Sequence, residues 1–132
     1  MPMKTGITVP SLACFALLIL ASLLFAESAA VSTMADITMN LNHFPSDSDK
    51  QKLMAITKGG VSSESEQAVA NAILNLRHRV SDADKKILNS IISDESAPAD
   101  LRQLAGVLVN INHSPSDSDV EKLAALVADS GR

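Results

Sequence analysis

A repeat of 35 residues constrains the fold of this 132-residue chain more than any other feature. The stretch NLNHFPSDSDKQKLMAI, Asn40–Ile56, returns as NINHSPSDSDVEKLAAL, Asn110–Leu126, with eleven of seventeen residues identical. A diverged copy, NLRHRVSDADKKILNSI, lies midway at Asn75–Ile91. Fixed spacing of this length is typical of repeat folds, in which each supersecondary unit buries its apolar face against the next. We therefore expect one repeat domain over 31–132, with units of about 31–64, 65–99 and 100–132.

The apolar residues of each unit follow a helical period. Spacings of i, i+3, i+4 and i+7 place them on one face of a first helix, and a second apolar stripe predicts another helix after it. The first-helix positions are Met34, Ile37, Thr38 and Leu41, then Val69, Ala72, Ile73 and Leu76, then Leu104, Val107, Leu108 and Ile111. The second-helix positions are Leu53, Ile56 and Thr57, then Leu88, Ile91 and Ile92, then Leu123, Leu126 and Val127. The pattern predicts an all-α fold: a short α-solenoid of three helix pairs, six helices in total.

A serine precedes each second helix, with an aspartate three positions later. The pairs are Ser46 with Asp49, Ser81 with Asp84, and Ser116 with Asp119. This spacing predicts a capping box, in which the serine oxygen accepts from the N3 amide and the N3 side chain accepts from the N-cap amide. A calcium loop of the EF-hand type is disfavoured, because its glycine at position 6 and glutamate at position 12 are missing.

An apolar segment precedes the repeats. Lys4 supplies a positive charge, Leu12–Ala26 is an uninterrupted small and apolar run, and Ser28 and Ala30 fit the small-residue requirement of signal peptidase. The run is short for a bilayer span, which needs about 20 residues. We interpret 1–30 as a secretory signal, with an uncleaved anchor as the alternative. A cleaved signal predicts a secreted or periplasmic protein without stable membrane insertion.

The charge balance narrows the class of partner. Eleven Lys and Arg stand against fifteen Asp and Glu, a net charge of −4, whereas a nucleic-acid partner favours a basic face. Arg77 and Arg79 form a local basic spot, suited to a carboxylate or a sulfated glycan or simply solvated. Cys14, the single cysteine, lies in the predicted signal, so the mature domain would rely on its apolar core rather than on disulfides.

Asparagine and histidine recur where capping does not require them. On a helical wheel Asn40 and His43 fall away from the apolar face. Units stacked at about 8–10 Å would align them in a ladder, with amides that both donate to and accept from an extended peptide. The alternative is local: the amide bonds a turn carbonyl and the imidazole interacts with the helix dipole. This candidate ladder comprises Asn40, His43, Asn75, His78, Asn110 and His113.

The same residues give little reason to expect a metal site or an active site. A zinc ion needs nitrogen ligands at about 2.0–2.1 Å, whereas stacking would leave the first and third units about 20 Å apart. We therefore expect no metal site and no cofactor. Ser, His and Asp recur at equivalent places in every unit, while an active site needs unlike groups at one point. The pattern predicts a protein that is not an enzyme.

One family resemblance supports the fold class. The segment SDADKKILNSIISDESAPADLRQLAGVLVNI, Ser81–Ile111, resembles a HEAT-type repeat, with an acidic, proline-containing turn before LRxLAxxL. In the preceding unit Gln67 replaces the arginine of that motif and Ser65 replaces the aspartate before it. The resemblance implies antiparallel helix pairs and a role as a protein-binding scaffold.

These observations together predict an exported module that binds another protein or peptide on the candidate ladder. A small-ligand or metal carrier in the cell envelope is the main alternative, and an inhibitor of a secreted enzyme is another. An inhibitor would use the one unrepeated connection, TKGGVSSES, Thr57–Ser65.

Overall fold

The computed structural model describes residues 29–129, which form six helices and no strand, so the predicted all-α fold is confirmed. The helices are α1 (29–39), α2 (Asp47–Lys58), α3 (Glu64–Leu74), α4 (Asp82–Ser93), α5 (Ala99–Asn110) and α6 (Asp117–Asp129). The predicted signal, 1–30, lies outside the described residues except for Ala29 and Ala30, which belong to α1. In the described part of the chain, no helix combines the length and apolarity that crossing a membrane requires.

The predicted apolar face of each first helix forms the core. All twelve of its positions are buried, and Ala35, Ala70 and Ala105 beside it have no exposed surface. The last position of each set lies just beyond its helix and not within it, as Leu41, Leu76 and Ile111. The second helices contribute fewer buried residues, which are Leu53, Ile56, Leu88, Ile91, Leu123 and Leu126. The third predicted position of each second helix is only half-buried, as Thr57, Ile92 and Val127. These side chains belong to one hydrophobic cluster that includes all three units. Burying an aliphatic side chain of this size contributes about 1.5–3 kcal/mol, so the repeated stripe is the main source of stability.

The predicted caps are present at the second helices. The Ser46 oxygen accepts from the Asp49 amide at 3.1 Å, and the Asp49 carboxylate accepts from the Ser46 amide at 3.4 Å, which completes the box. Ser81 and Ser116 also accept from the amides of their aspartates, and each donates its hydroxyl to the same aspartate's carboxylate. At Ser81 the reciprocal bond from the serine amide is missing, so the predicted box is incomplete at α4. A further box, Ser63 with Glu66, starts α3 and was not predicted.

Packing between units is more extensive than packing within them. α2 lies chiefly against α3, and α4 against α5, whereas α3 with α4 and α5 with α6, the helix pairs of the second and third units, share smaller contacts. A unit therefore completes its core with the first helix of the next one, as expected for a repeat fold.

The loops inside the three units meet in a ring of backbone hydrogen bonds. The His43 amide donates to the His113 carbonyl and the His78 amide donates to the His43 carbonyl, both at 2.9 Å. The His113 amide donates to the His78 carbonyl and completes the ring. The first and third units are thus in direct contact, and the separation of about 20 Å expected for an open solenoid is wrong.

Candidate functional site

The three histidines lie in these loops, after the ends of α1, α3 and α5. Their φ angles are 74° at His43, 66° at His78 and 72° at His113, all in the left-handed region. That region costs an L-residue roughly 1–2 kcal/mol, and a residue in it does not continue a right-handed helix. The helical-wheel placement of His43 on a helix face is therefore wrong. Histidine tolerates this conformation better than most residues, although glycine would adopt it at no steric cost.

The imidazole rings converge where the loops meet. The ring centroid of His43 is 5.1 Å from that of His78 and 5.3 Å from that of His113, and the last two are 4.9 Å apart. One ring nitrogen from each histidine lies within 4.8 Å of the other two, and the rings are accessible to solvent. We call this group the histidine ring. It gathers one imidazole from each unit, at equivalent positions, around a common point.

Two asparagines orient the imidazoles. The Asn42 side-chain oxygen is 2.6 Å from Nδ1 of His43, and the Asn112 oxygen is 2.8 Å from Nδ1 of His113. An amide oxygen only accepts, so each Nδ1 carries the proton and donates it, which leaves the Nε2 lone pair of a neutral ring available. This is the arrangement by which a second residue fixes the tautomer of a metal-binding histidine.

These asparagines were missed from the sequence, although a signal for them was present. Asn42 immediately precedes His43 and Asn112 immediately precedes His113, so an Asn-His pair recurs in two of the three units. In the second unit Arg77 precedes His78.

The asparagines of the candidate ladder serve their own helices. The Asn40 side-chain amide donates to the Asp36 carbonyl, and that of Asn110 donates to the Gly106 carbonyl, both at 2.9 Å. Asn75 ends α3, where its main-chain amide donates to the Asn71 carbonyl at 3.0 Å. The two side-chain bonds are local, each to the carbonyl four residues earlier, whereas the bond at Asn75 involves its main chain only. The structure therefore brings together the three histidines of the predicted set and shows local side-chain bonds at Asn40 and Asn110.

The predicted basic spot lies beside the histidine ring. Arg77 and Arg79 are exposed on either side of His78, and both line a cavity of about 310 Å³ with Asn75, Val80, Ser81 and Asp82. Arg77 also lines a second cavity of about 320 Å³, together with His78.

The geometry of the histidine ring suits a first-row transition-metal ion. Tetrahedral zinc holds nitrogen ligands at about 2.0–2.1 Å, which places pairs of them about 3.4 Å apart. The three histidine nitrogens lie within 4.8 Å of one another, so reaching that spacing requires each pair to approach by no more than about 1.4 Å. Three histidines leave a fourth coordination position for water or another ligand. Imidazole is a suitable ligand for zinc, copper and nickel.

Comparison of the chain with protein-family models, with curated proteins and with solved structures finds no match.

Proposed function

We propose that this protein is an exported, non-enzymatic metal carrier that binds one divalent transition-metal ion through His43, His78 and His113. The observation that carries the proposal is the convergence of three ring nitrogens within 4.8 Å at the point where the loops meet. The sequence pattern leaves a metal carrier as an alternative to a protein-binding module. We favour the metal carrier because the first and third units are in direct contact and are not about 20 Å apart, so a site shared by all three histidines is possible.

The backbone conformation supports a role for the imidazoles themselves. A hydrogen-bonded ring of left-handed residues needs no side chain, and glycine would form it with less strain. Three histidines at these positions are therefore more than the fold requires. Backbone strain of this kind concentrates at functional sites.

Export would place the site in the cell envelope or outside the cell. The support is the sequence: Lys4, the apolar run Leu12–Ala26 and the small residues Ser28 and Ala30. The three histidines are the only ones in the chain, so metal binding by histidine has a single location.

Zinc titration of the purified protein by calorimetry tests the proposal. We expect one Zn²⁺ per chain, and cobalt should give the absorption bands of a tetrahedral ion. Each single change, His43→Asn, His78→Asn or His113→Asn, should lower the affinity by about 100-fold or more, since losing a ligand should weaken binding at least as much as losing an outer-shell partner. Asparagine is chosen because it tolerates the left-handed region, so the loop is preserved. Zinc affinity that the triple variant retains would disprove the site, provided that circular dichroism shows an unchanged fold.

Binding of another protein or peptide, expected from the repeats and the HEAT resemblance, is a second proposal. One observation favours it: Phe44, in the first loop, is 60% exposed. Phe44→Ser introduces the residue found at the equivalent position 114. This change should reduce capture of a partner from the cell envelope and leave zinc affinity unchanged, whereas undiminished capture would count against a role for this residue.

A further inference from the structure

We infer that the cavity beside the histidine ring binds a carboxylate that carries an apolar group. The cavity has a volume of about 320 Å³ and is lined by Phe44, Pro45, Lys50, Leu74, Leu76, Arg77 and His78. Its lining combines two cationic side chains with an aromatic and an aliphatic surface. It shares only His78 with the metal site, so the inference does not depend on metal binding.

The charge of the lining selects an anion. Lys50 and Arg77 contribute positive charge, and none of the described residues that line the cavity is a carboxylate. Lys50 pairs with Asp47, whose Oδ1 is 3.4 Å from Nζ of Lys50 and whose side chain is 98% exposed. An exposed pair of this kind contributes little and leaves the ammonium group open to a second anion. Arg77 can bind a carboxylate with two parallel hydrogen bonds.

The apolar side of the lining selects a ligand larger than an inorganic ion. Phe44 is the one aromatic residue other than histidine in the described part of the chain. Its side chain is not used in the core but is 60% exposed. Nζ of Lys50 lies over the Phe44 ring, 5.9 Å from its centre, so the cavity presents a cation and an aromatic ring together. A small acid would place its carboxylate near Arg77 and its hydrocarbon part on Phe44 and Leu74.

The repeat provides an internal comparison. Phe44 and Lys50 belong to the first unit and Arg77 to the second. The equivalent residues of the second and third units are Arg79, Lys85 and Asn112. Those of the third and first units are Ser114, Val120 and Asn42. The aromatic residue and both cations therefore coincide at one of three equivalent positions. The repeat architecture does not require this combination, because the other units form the same loops without it.

Backbone amide NMR with ¹⁵N-labelled protein, in the presence of a chelator, tests the inference without metal. Hexanoate should shift the amides around Phe44, Lys50 and Arg77. Hexanol, which lacks the charge, and inorganic phosphate, which lacks the apolar part, should each bind at least about tenfold more weakly. A short peptide ending in leucine, with a free or an amidated C-terminus, distinguishes a peptide terminus from a free acid. Tighter binding of the free-terminus peptide than of hexanoate would identify the terminus as the source.

Two matched pairs of variants complete the test. Arg77→Gln and Lys50→Gln should each weaken hexanoate binding by about tenfold, while Arg79→Gln and Lys85→Gln, outside the lining, should leave it unchanged. Phe44→Ser should weaken hexanoate but not acetate. Equal binding of hexanol and hexanoate, or equal effects of the lining and control variants, would overturn the inference. A failure of zinc binding would leave these outcomes unaffected.

Discussion

The backbone amide of His43 donates to the carbonyl oxygen of His113 at 2.9 Å, which joins two residues 70 positions apart. This bond brings the first and last units into contact. Together with the two backbone hydrogen bonds in which His78 takes part, it links three residues of left-handed conformation in a closed ring of hydrogen bonds. Because these hydrogen bonds hold the three backbones close together, they also bring the three imidazoles together. The contact between the first and last units and the candidate metal site therefore have the same structural basis.

Because His78 is in the left-handed conformation, the protein should be more stable with glycine than with alanine at position 78. His78→Ala should be less stable to denaturant than His78→Gly by about 1 kcal/mol, because alanine is strained at positive φ. Asn89, exposed in α4, is the control, since there alanine should be the more stable by about 0.8–1.0 kcal/mol. The same order of stability at both positions would contradict the backbone geometry.

The hydrogen bonds of His43 with Asn42 and of His113 with Asn112 should strengthen metal binding. Asn42→Ala or Asn112→Ala should weaken zinc binding about 10–100-fold, because the imidazole loses the acceptor that fixes its tautomer and orientation. Calorimetry provides the measurement. Asn40→Ala is the matched control, as its amide bonds the Asp36 carbonyl and touches no imidazole in the structure. Equal losses in all three variants would assign these asparagines to the fold rather than to the site.

Removing the capping box at the start of α2 should destabilise the protein. Ser46→Ala should lower the free energy of unfolding by about 1 kcal/mol, because the Asp49 amide loses its acceptor at the helix N-terminus. Chemical denaturation measures the change. Ser48→Ala, two residues after the N-cap and exposed, should have an effect within about 0.5 kcal/mol of zero. A larger loss at position 48 than at position 46 would argue against the assigned cap.

We predict that the Asp119 carboxyl group stabilises the folded state to an extent that depends on pH. Burial opposes ionisation of this carboxyl, but hydrogen bonds from Ser116 and Lys122 outweigh it, and the pKa of Asp119 is lowered from its usual value of 3.8. A lowered pKa in the folded state means that the ionised group stabilises the fold above pH 3.8, and that this contribution is lost as the pH falls through the folded value.

Comparison with Asp119→Asn isolates that contribution. The difference in free energy of unfolding between the protein and Asp119→Asn should be largest near pH 6 and should shrink as the pH falls below about 4. Denaturant melts at a series of pH values give the measurement. Ser116→Ala should reduce the pH-dependent difference, because it removes one of the donors to the carboxylate. A difference that does not change with pH would contradict the lowered pKa.

The helices, most of their buried positions and most of their caps are predictable from the sequence alone. These features depend on residues three to seven positions apart, such as the pairing of Ser46 with Asp49 or the stripe from Met34 to Leu41, and the α-helical period fixes such neighbours without reference to the rest of the chain. The candidate site was only half predictable. The sequence identified the recurring histidines but not their contact, and it gave no account of the cavity at Phe44.

The position of the three units relative to one another depends on tertiary packing. The 35-residue period is compatible with an open stack and with a closed ring, since both bury the same apolar stripes between neighbouring helices. The choice depends on the rotation from one helix pair to the next, which is set by how the side chains of α2 and α3, and of α4 and α5, interdigitate. That rotation brings His43, His78 and His113 together, because small angles between packed helices accumulate over the chain and no local spacing in the sequence records their sum.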